Sequence, residues 1–210
     1  MDKRLLLISH AATSAQRAGR FPADEPLDAR GRAEAEAAGA RLVLPADATV
    51  LTSPAACARE TAAALGLVAA SVNALADLNH GDWRGKRVAD IAAEAPRELA
   101  AWTREPDAAP PGGESFSQLI QRVGAWLDAA LPGEAQNSGA KEENGAPAAD
   151  ASAHARATVA ITHAPLLRAA IVCALGASPA VFSRIEIAPL SVIELRRSRR
   201  GWTWWPCTSV

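Results

Sequence analysis

Two histidines occupy the same kind of position in this sequence. An apolar run at 5–8 leads through a serine to His10, and an apolar run at 159–161 leads through a threonine to His163. If both runs are strands of one open α/β sheet, their carboxyl ends lie where such sheets bind ligands. Imidazole titrates near neutral pH, so it can act as a nucleophile, a general acid or a cation. The pair predicts a shared catalytic crevice; the alternative is that each histidine only ends a strand and bonds to backbone.

Cys57 and the tryptophans near the end of the sequence are further candidates. A cysteine becomes a nucleophile when a base activates it, but no base is identifiable beside Cys57, so we interpret it as a small, space-filling helix residue. Trp202, Trp204 and Trp205 could form a stacking platform. Their spacing favours a covered sheet edge or an interface, which makes this end a candidate homodimer contact.

Composition narrows the class of protein. The chain has 210 residues, 49% of them hydrophobic, which predicts one domain over 1–210 with a sizeable core. Its 22 Lys and Arg nearly balance 23 Asp and Glu, so we expect neither nucleic acid nor a membrane as partner. No apolar run has the length of a membrane span or a signal peptide. Three scattered cysteines indicate a cytoplasmic location rather than a disulfide framework.

Strands and helices alternate through most of the sequence. Apolar runs predict strands at 4–8, 48–52, 68–75, 158–162, 184–187, 191–196 and 202–205. We expect a loop at 11–26 and helices at 28–44, 53–65, 86–104 with an interruption near Pro96, 114–131 and 165–175. Ser53 is the expected N-cap of the second helix. This order predicts an α/β three-layer sandwich, with a mostly parallel central sheet, helices on both faces and an antiparallel C-terminal edge hairpin.

Residues 132–157 differ in kind from their surroundings. They are built from Gly, Ala, Asn, Ser, Glu and Pro, with almost no large apolar side chain. Such a composition cannot bury enough apolar surface to fold, so we predict a disordered insertion between a helix and a strand. His154 lies in it and is interpreted as a solvated bystander.

Six segments, in order, resemble the pattern of the histidine phosphatase superfamily, the phosphoglycerate-mutase-like proteins. The family opens with a strand followed by Arg-His-Gly and later carries Ser-Pro-Leu-x-Arg-Ala, Gly-x-Trp-x-Gly and Pro-Gly-Gly-Glu-Ser. The matching segments here are Ser9-His10-Ala11, Pro26-Leu27 with Gly31, Ser53 to Ala62, Leu75 to Gly85, Pro111 to Ser115, and His163 at the end of a strand.

The resemblance implies a mechanism with named residues. His10 would attack a phosphoryl group and become phosphorylated, Asp77 would protonate the leaving group, and His163 would stabilise the transferring phosphoryl. Water or a second substrate would then accept the phosphoryl group. Neither a metal nor a cofactor is implied, and covalent capture divides one difficult displacement into two easier ones.

Two departures from the family pattern concern the phosphate site, and a third concerns the candidate acid. Ser9 and Cys57 stand where the family has phosphate-binding arginines, and Asp77 replaces a glutamate. Fixed cationic donors stabilise the charge on a transferring phosphoryl group, and loss of one such donor costs about 10²–10³ in rate. Arginines of the loop after His10 could compensate. The predicted phosphate-binding residues are Ser9, Gln16, Arg17, Arg20, Cys57, Thr162 and Ala164.

Two functions follow as hypotheses. The first is a phosphatase of reduced activity that acts on a small phosphorylated metabolite through a phosphohistidine. The second is a catalytically impaired relative that binds an anionic ligand or a protein partner. A phosphoglycerate mutase is a weaker hypothesis, because a chain of 210 residues is short of the insertions that would close over a bisphosphorylated intermediate.

Overall fold

The computed structural model describes residues 3–130 and 157–205. In these two stretches the strands are β1 (Lys3–Ser9), β2 (Thr49–Thr52), β3 (Ala70–Ser71), β4 (Ala157–Thr162), β5 (Val192–Ser198) and β6 (Gly201–Trp205). The helices are α1 (Ser14–Arg17), α2 (Ala29–Gly39), α3 (Ala56–Ala64), α4 (Val88–Glu94), α5 (Pro96–Arg104), α6 (Phe116–Ala130) and α7 (Ala164–Leu175).

The strands form one sheet in the order β3-β2-β4-β1-β5-β6. The pairs among β3, β2, β4 and β1 are parallel, whereas β5 and β6 are antiparallel to their neighbours. The predicted α/β class, with an antiparallel C-terminal hairpin at one edge, is therefore confirmed. β1 and β4 lie side by side in the middle of the sheet, with Ser9 opposite Thr162.

Both faces of β1 are buried, which explains its continuous apolar run. Leu5 and Leu7 pack into a core with residues of α6 and α7. Leu6 and Ile8 point to the other face, where they pack against residues of α2 and α3. Successive side chains of a strand face opposite sides, so a strand covered by helices on both faces needs apolar residues throughout.

Several predicted element bounds are wrong. The strand expected at 68–75 shortens to Ala70–Ser71 and continues as a 3₁₀ turn, Asn73–Leu75. The strand expected at 184–187 is absent from the described residues, where a 3₁₀ helix ends at Arg184 and non-strand backbone follows. The loop expected at 11–26 contains α1, which Thr13 and Gln16 close with a capping box.

The insertion predicted at 132–157 lies outside the described residues, except at its last position. Ala157 begins β4, is 3% exposed and pairs with Arg4 of β1. Ala157 therefore belongs to the sheet and not to the predicted insertion. No helix in the described part of the chain is long and apolar enough to span a membrane.

Candidate active site

The carboxyl ends of β1 and β4 bring His10 and His163 together. The backbone N–H of His10 donates to the carbonyl of Thr162 at 2.8 Å, which continues the pairing of the two strands by one residue. The ring centroids of the two imidazoles lie 5.0 Å apart, with an angle of 68° between the ring planes. The strand ends thus converge as the sequence predicts.

The imidazole of His10 is held in one tautomer. Its Nδ1 lies 2.7 Å from the carbonyl oxygen of Ala11. Because a carbonyl can only accept, Nδ1 must carry the hydrogen, and Nε2 keeps its lone pair. Burial and the neighbouring His163 lower the pKa of His10, which favours this neutral, nucleophilic form.

Ser53 holds the second imidazole from the neighbouring strand. Its Oγ lies 2.8 Å from Nε2 of His163, and it also accepts a hydrogen bond from the backbone N–H of Ala55. A serine hydroxyl can donate to Nε2 or accept from it. Burial lowers the pKa of His163 to about 4, so this ring is neutral at neutral pH.

Asp77 approaches the other side of His163. Its Oδ2 lies 3.3 Å from Nδ1 of His163, but the two groups are not aligned as a hydrogen bond, and Nδ1 is unpartnered among the described residues. Oδ1 of Asp77 accepts from the backbone N–H of Leu78 at 2.8 Å. Burial raises the pKa of Asp77, although the charges of His80 and His10 act against it. A raised pKa favours the protonated carboxyl that a general acid requires.

The segment that carries Asp77 is crossed by the loop that contains Pro111 to Ser115, and both this loop and a side chain of α6 fix its position. The backbone N–H of Glu114, in the Pro-Gly-Gly-Glu-Ser segment, donates to the carbonyl of Asn79 at 2.8 Å. Arg122 of α6 donates to the carbonyls of Ala74, Ala76 and Asp77 at 3.0, 3.2 and 3.3 Å. The position of Asp77 therefore depends on a side chain that lies in a distant helix.

A cavity of about 400 Å³ opens above the two imidazoles. Among the described residues, Arg84 alone brings a guanidinium to its lining, which also carries the carboxyls of Asp24, Glu25 and Asp77. The residues around the cavity are His10, Thr13, Gln16, Pro22, Asp24, Glu25, Ser53, Pro54, Ala55, Cys57, Ala76, Asp77, Leu78, Asn79, His80, Arg84 and His163.

Of the predicted phosphate-binding residues, Gln16 and Cys57 line the cavity. Oε1 of Gln16 accepts from the backbone N–H of Thr13, so its amide N–H groups remain as donors. Cys57 is 6% exposed, and burial, assisted by the charge of Asp77, raises the pKa of its thiol to about 12. Its sulfur and one nitrogen from each of His10 and His163 all lie within 4.8 Å of one another.

The predicted compensating arginines lie away from the cavity. Arg17 forms ion pairs with Asp28 and Glu34 at 3.0 and 3.4 Å. Arg20 is exposed, and its backbone forms an isolated bridge with Arg87. Neither residue contributes to the lining, because local carboxylates hold the first and the turn after α1 carries the second away.

Three further predictions about the phosphate site are corrected by the packing. Thr162 is fully buried, and its hydroxyl donates to the carbonyl of Leu75 at 2.8 Å. Ser9 is 3% exposed within the sheet, and Ala164 begins α7. These three residues are not part of the cavity lining.

Sequence reasoning missed Ser53, His80 and Arg84 as site residues. Ser53 was predicted as the N-cap of α3, but that helix begins at Ala56 and the serine hydroxyl contacts His163 instead. His80 is buried against Phe21, and its pKa is lowered, chiefly by burial. His80 and Arg84 flank the Gly-x-Trp motif in the sequence, which was the available signal for them. That both residues line the cavity follows only from the fold.

Comparisons with known proteins point to one superfamily. The pattern of the histidine phosphatase superfamily (branch 1) matches residues 5–205. A glucosyl-3-phosphoglycerate phosphatase of Mycobacterium tuberculosis is 30% identical over 146 residues, 67% of this chain and 66% of that protein. Phosphoserine phosphatase 1 of Hydrogenobacter thermophilus is 26% identical over 132 residues, 60% of this chain and 63% of that protein. The matched stretches thus span slightly less than two thirds of either relative.

A solved structure supports the same relationship at the level of the fold. The protein called mycobacterial hydrolase 1 superposes on this chain with a TM-score of 0.77 at 26% sequence identity. The superposition covers 98% of each chain. The likeness therefore extends over nearly the whole length of both chains.

Proposed function

Because the chain belongs to the histidine phosphatase superfamily, we propose that it hydrolyses phosphoric monoesters of small metabolites. The reaction proceeds through a phosphohistidine at His10, and its turnover is reduced by the loss of two arginines. The related proteins are called phosphoserine phosphatase and glucosyl-3-phosphoglycerate phosphatase, which supports a small phosphorylated metabolite as the class of substrate.

The hydrogen bond between Nδ1 of His10 and the carbonyl of Ala11 carries this proposal. It leaves the Nε2 lone pair free in a cavity whose volume, about 400 Å³, suits a small metabolite. A histidine that only ended a strand would also bond to backbone, but its second nitrogen would not need to lie at a cavity. Here one nitrogen is fixed and the other lies at a cavity with a second imidazole and a carboxyl.

The first step forms a bond between Nε2 of His10 and phosphorus and breaks the bond from phosphorus to the ester oxygen. Asp77 gives its proton to that departing oxygen, which its raised pKa favours. In this step the Ser53 hydroxyl, which can donate or accept at 2.8 Å, donates to Nε2 of His163. Nδ1 of His163 then carries a hydrogen that can bind a phosphoryl oxygen.

The second step releases phosphate. Water attacks phosphorus, the Asp77 carboxylate takes a proton from that water, and the bond from phosphorus to Nε2 of His10 breaks. Atoms and charges balance over the two steps, since the proton that Asp77 lent to the alcohol returns from water. The products are the alcohol and inorganic phosphate.

Reduced turnover follows from the charges of the cavity. The thiol of Cys57 is neutral at neutral pH, because burial raises its pKa to about 12, and it cannot replace the positive charge of an arginine. Arg84 faces three carboxyls among the described lining residues. Fixed cationic donors supply much of the stabilisation in phosphoryl transfer, so hydrolysis should be slow.

The same charges favour the second candidate, a relative that binds an anionic ligand or a protein partner without efficient turnover. The two candidates differ in whether His10 becomes phosphorylated. A slow phosphatase accumulates or forms the phosphohistidine in the presence of an aryl phosphate, whereas a binding protein forms none.

The test is hydrolysis of p-nitrophenyl phosphate by the wild-type protein and by His10→Ala, together with alkaline-quench mass spectrometry of the intact protein. We expect turnover and a phosphoryl adduct in the wild type and neither in His10→Ala. His154→Ala is the control, because the sequence predicts a bystander there, and it should keep both signals. Turnover that survives in His10→Ala would exclude the mechanism; an adduct-free, inactive wild type would favour the binding protein.

A homodimer in the reduced cytoplasm is part of the proposal. β6 is the edge strand of the sheet, and Trp204 and Trp205 on it are 44% and 43% exposed. The free thiols of Cys57 and Cys173 fit a reducing compartment. Light scattering should give a dimer for the wild type and a monomer for Trp204→Lys; a monomeric wild type would remove the contact.

A further inference from the structure

Cys57 has no part in the proposed hydrolysis, yet its thiol lies beside both reactive imidazoles. One nitrogen of His10, one nitrogen of His163 and the sulfur of Cys57 lie within 4.8 Å of one another. All three side chains are buried, at 5%, 2% and 6% exposure. We propose that these three residues form a binding site for a divalent transition-metal ion, with Zn²⁺ as the ion that fits the donors.

The chemistry of the donors selects the ion. Two imidazoles and a thiolate suit Zn²⁺ and its neighbours Co²⁺ and Ni²⁺, whereas Mg²⁺ and Ca²⁺ take oxygen ligands. Bonds of about 2.0–2.3 Å in a tetrahedral site place donor atoms roughly 3.3–3.8 Å apart. The present separations are at most 4.8 Å, so small side-chain movements bring the three donors to one ion.

Each imidazole is already supported through its other nitrogen. Nδ1 of His10 donates to the carbonyl of Ala11, which leaves Nε2 for the ion. Nε2 of His163 lies 2.8 Å from the hydroxyl of Ser53, and Nδ1 is buried without a hydrogen-bond partner among the residues described. Metal-binding histidines are oriented in this way by an oxygen acceptor on the opposite nitrogen. Metal binding therefore uses the tautomer of His163 in which Nε2–H donates to the Ser53 hydroxyl and Nδ1 keeps its lone pair, the reverse of the tautomer proposed for hydrolysis.

Asp77 is the candidate for the fourth ligand, although the group of donors within 4.8 Å of one another does not include it. Its Oδ2 lies 3.3 Å from Nδ1 of His163, about the separation of two donors on one tetrahedral ion. A carboxylate beside an unpartnered imidazole nitrogen, with no hydrogen bond between them, is the arrangement expected where both atoms face a third group. Binding must displace the proton of the Cys57 thiol, as it does for coordinating thiols in general.

The ion site does not depend on the proposed hydrolysis. Both uses need the lone pair on Nε2 of His10, so the bound ion and the phosphohistidine exclude each other. Zn²⁺ should therefore inhibit any phosphatase activity that the protein has. Metal binding itself is measured without substrate, so an inactive protein can still support or overturn the site.

The test is a titration of the full chain, freed of metal with a chelator, with Co²⁺ followed by Zn²⁺. We expect one Co²⁺ per chain, with visible ligand-field bands of a tetrahedral site and a near-ultraviolet charge-transfer band from the thiolate. Zn²⁺ should displace the Co²⁺ and abolish both. Altering a residue that only supports a ligand costs about 10–100-fold in affinity, so Cys57→Ser should cost at least about 100-fold and remove the charge-transfer band.

Cys173→Ser is the matched control. That cysteine donates to the carbonyl of Ile120, away from the cavity, so the variant should keep the bands and the affinity. Circular dichroism checks the fold of each variant, and Cys57→Ala and His10→Gln replace Cys57→Ser if it unfolds. The site is overturned if the folded wild type binds neither ion, or if the charge-transfer band and affinity survive in the Cys57 and His10 variants.

Discussion

Arg122 and Glu114 form a two-point ion pair in the described structure. Nε and one terminal nitrogen of Arg122 each lie 2.9 Å from a carboxylate oxygen of Glu114. With its guanidinium fixed in this way, Arg122 also donates to the carbonyl of Asp77 at 3.3 Å. The ion pair therefore sets the backbone from which the candidate acid projects, although Arg122 itself is a positioning residue.

Arg122→Lys should impair turnover without unfolding the protein. A lysine keeps the charge but cannot make the planar, forked contacts of a guanidinium. Displacement of a catalytic group by about 1 Å can cost about 10²-fold in rate, so we expect kcat to fall by about 10–100-fold with KM little changed. Steady-state kinetics on an aryl phosphate measure both constants.

Arg104→Lys is the matched control for that change, because Arg104 is exposed at the end of α5. It should leave kcat and KM at the wild-type values. If Arg122→Lys instead raises KM alone, the guanidinium affects substrate binding and does not position Asp77.

Ser53→Ala should lower kcat through the orientation of His163. The variant removes the 2.8 Å contact between the serine hydroxyl and Nε2. In the proposed mechanism this contact holds His163 in the tautomer with a hydrogen on Nδ1. A hydrogen bond of this kind contributes about 1 kcal/mol, or roughly fivefold in rate. Ser183→Ala, at an exposed position, should have no effect. Equal losses in both variants would point to a general loss of stability.

The sequence predicted the centre of the sheet better than its edges. β1 and β4 were recognisable because both faces are buried, which demands unbroken apolar runs, and their ends correctly placed His10 beside His163. The segment at 184–187 alternates polar and apolar residues, as an edge strand can, but it pairs with no neighbouring strand among the described residues. Pairing is a long-range property, and a short alternating pattern does not reveal it.

The supporting contacts of the site were not predictable for the same reason. Ser53 precedes a proline before a helix, which locally resembles an N-cap, whereas its partner His163 is 110 positions away. Arg122 is 45 positions from Asp77. Arg17 and Arg20 follow His10 in sequence, but ion pairs and a turn direct them elsewhere, so proximity in sequence misled there.

Gly81→Ala should destabilise the loop that carries His80. Gly81 has φ of +48°, and a Cβ there would lie 2.1 Å from the carbonyl oxygen of Pro111. Backbone atoms cannot move aside cheaply, and the positive φ adds backbone strain. We therefore expect a loss of about 2–5 kcal/mol in the free energy of unfolding, of which about 1–3 comes from the clash and about 1–2 from the strain. Thermal or urea unfolding measures this loss.

Gly85→Ala isolates the effect of that close approach. Gly85 also has positive φ, +74°, but its added Cβ would meet the Cβ of Ala23 at 3.5 Å, an ordinary contact. It should cost only the left-handed backbone strain, about 1–2 kcal/mol. A Gly85→Ala variant as unstable as Gly81→Ala would show that the crossing of the two loops contributes nothing.

Glu194 should make stability depend on pH in the acid range. Hydrogen bonds from Arg4, then from Arg196, lower the pKa of Glu194 in the folded state. Its contribution is thus complete above the unfolded pKa of about 4.3 and is lost as pH falls through the lower, folded pKa. Both arginine side chains are at least 36% exposed, so we expect about 1 kcal/mol.

Glu194→Gln therefore lowers Tm by about 2–4 °C at pH 7, and the difference from the wild type narrows toward pH 3. Glu36→Gln, on the exposed side of α2, should leave Tm unchanged at both pH values. A difference for Glu194→Gln that is constant with pH would mean that shape, and not charge, is what the arginines recognise.

Cys57→Arg should raise phosphatase turnover. Cys57 lines the cavity beside His10 and His163, so an arginine there brings a fixed cation to the position where the family pattern has one. One preorganised donor contributes about 10²–10³ in rate, and we expect a gain of at least about tenfold, because Asp24 and Asp77 will compete for the guanidinium.

The Ser9→Arg, Cys57→Arg double variant extends the test to the second missing arginine, although Ser9 is buried in the sheet and its replacement strains the fold. Cys57→Ala is the control: it removes the thiol without adding charge, so it should not gain activity. If Cys57→Ala and Cys57→Arg are equally active, removal of the thiol and not the missing charge explains the change, and the account of reduced turnover is wrong.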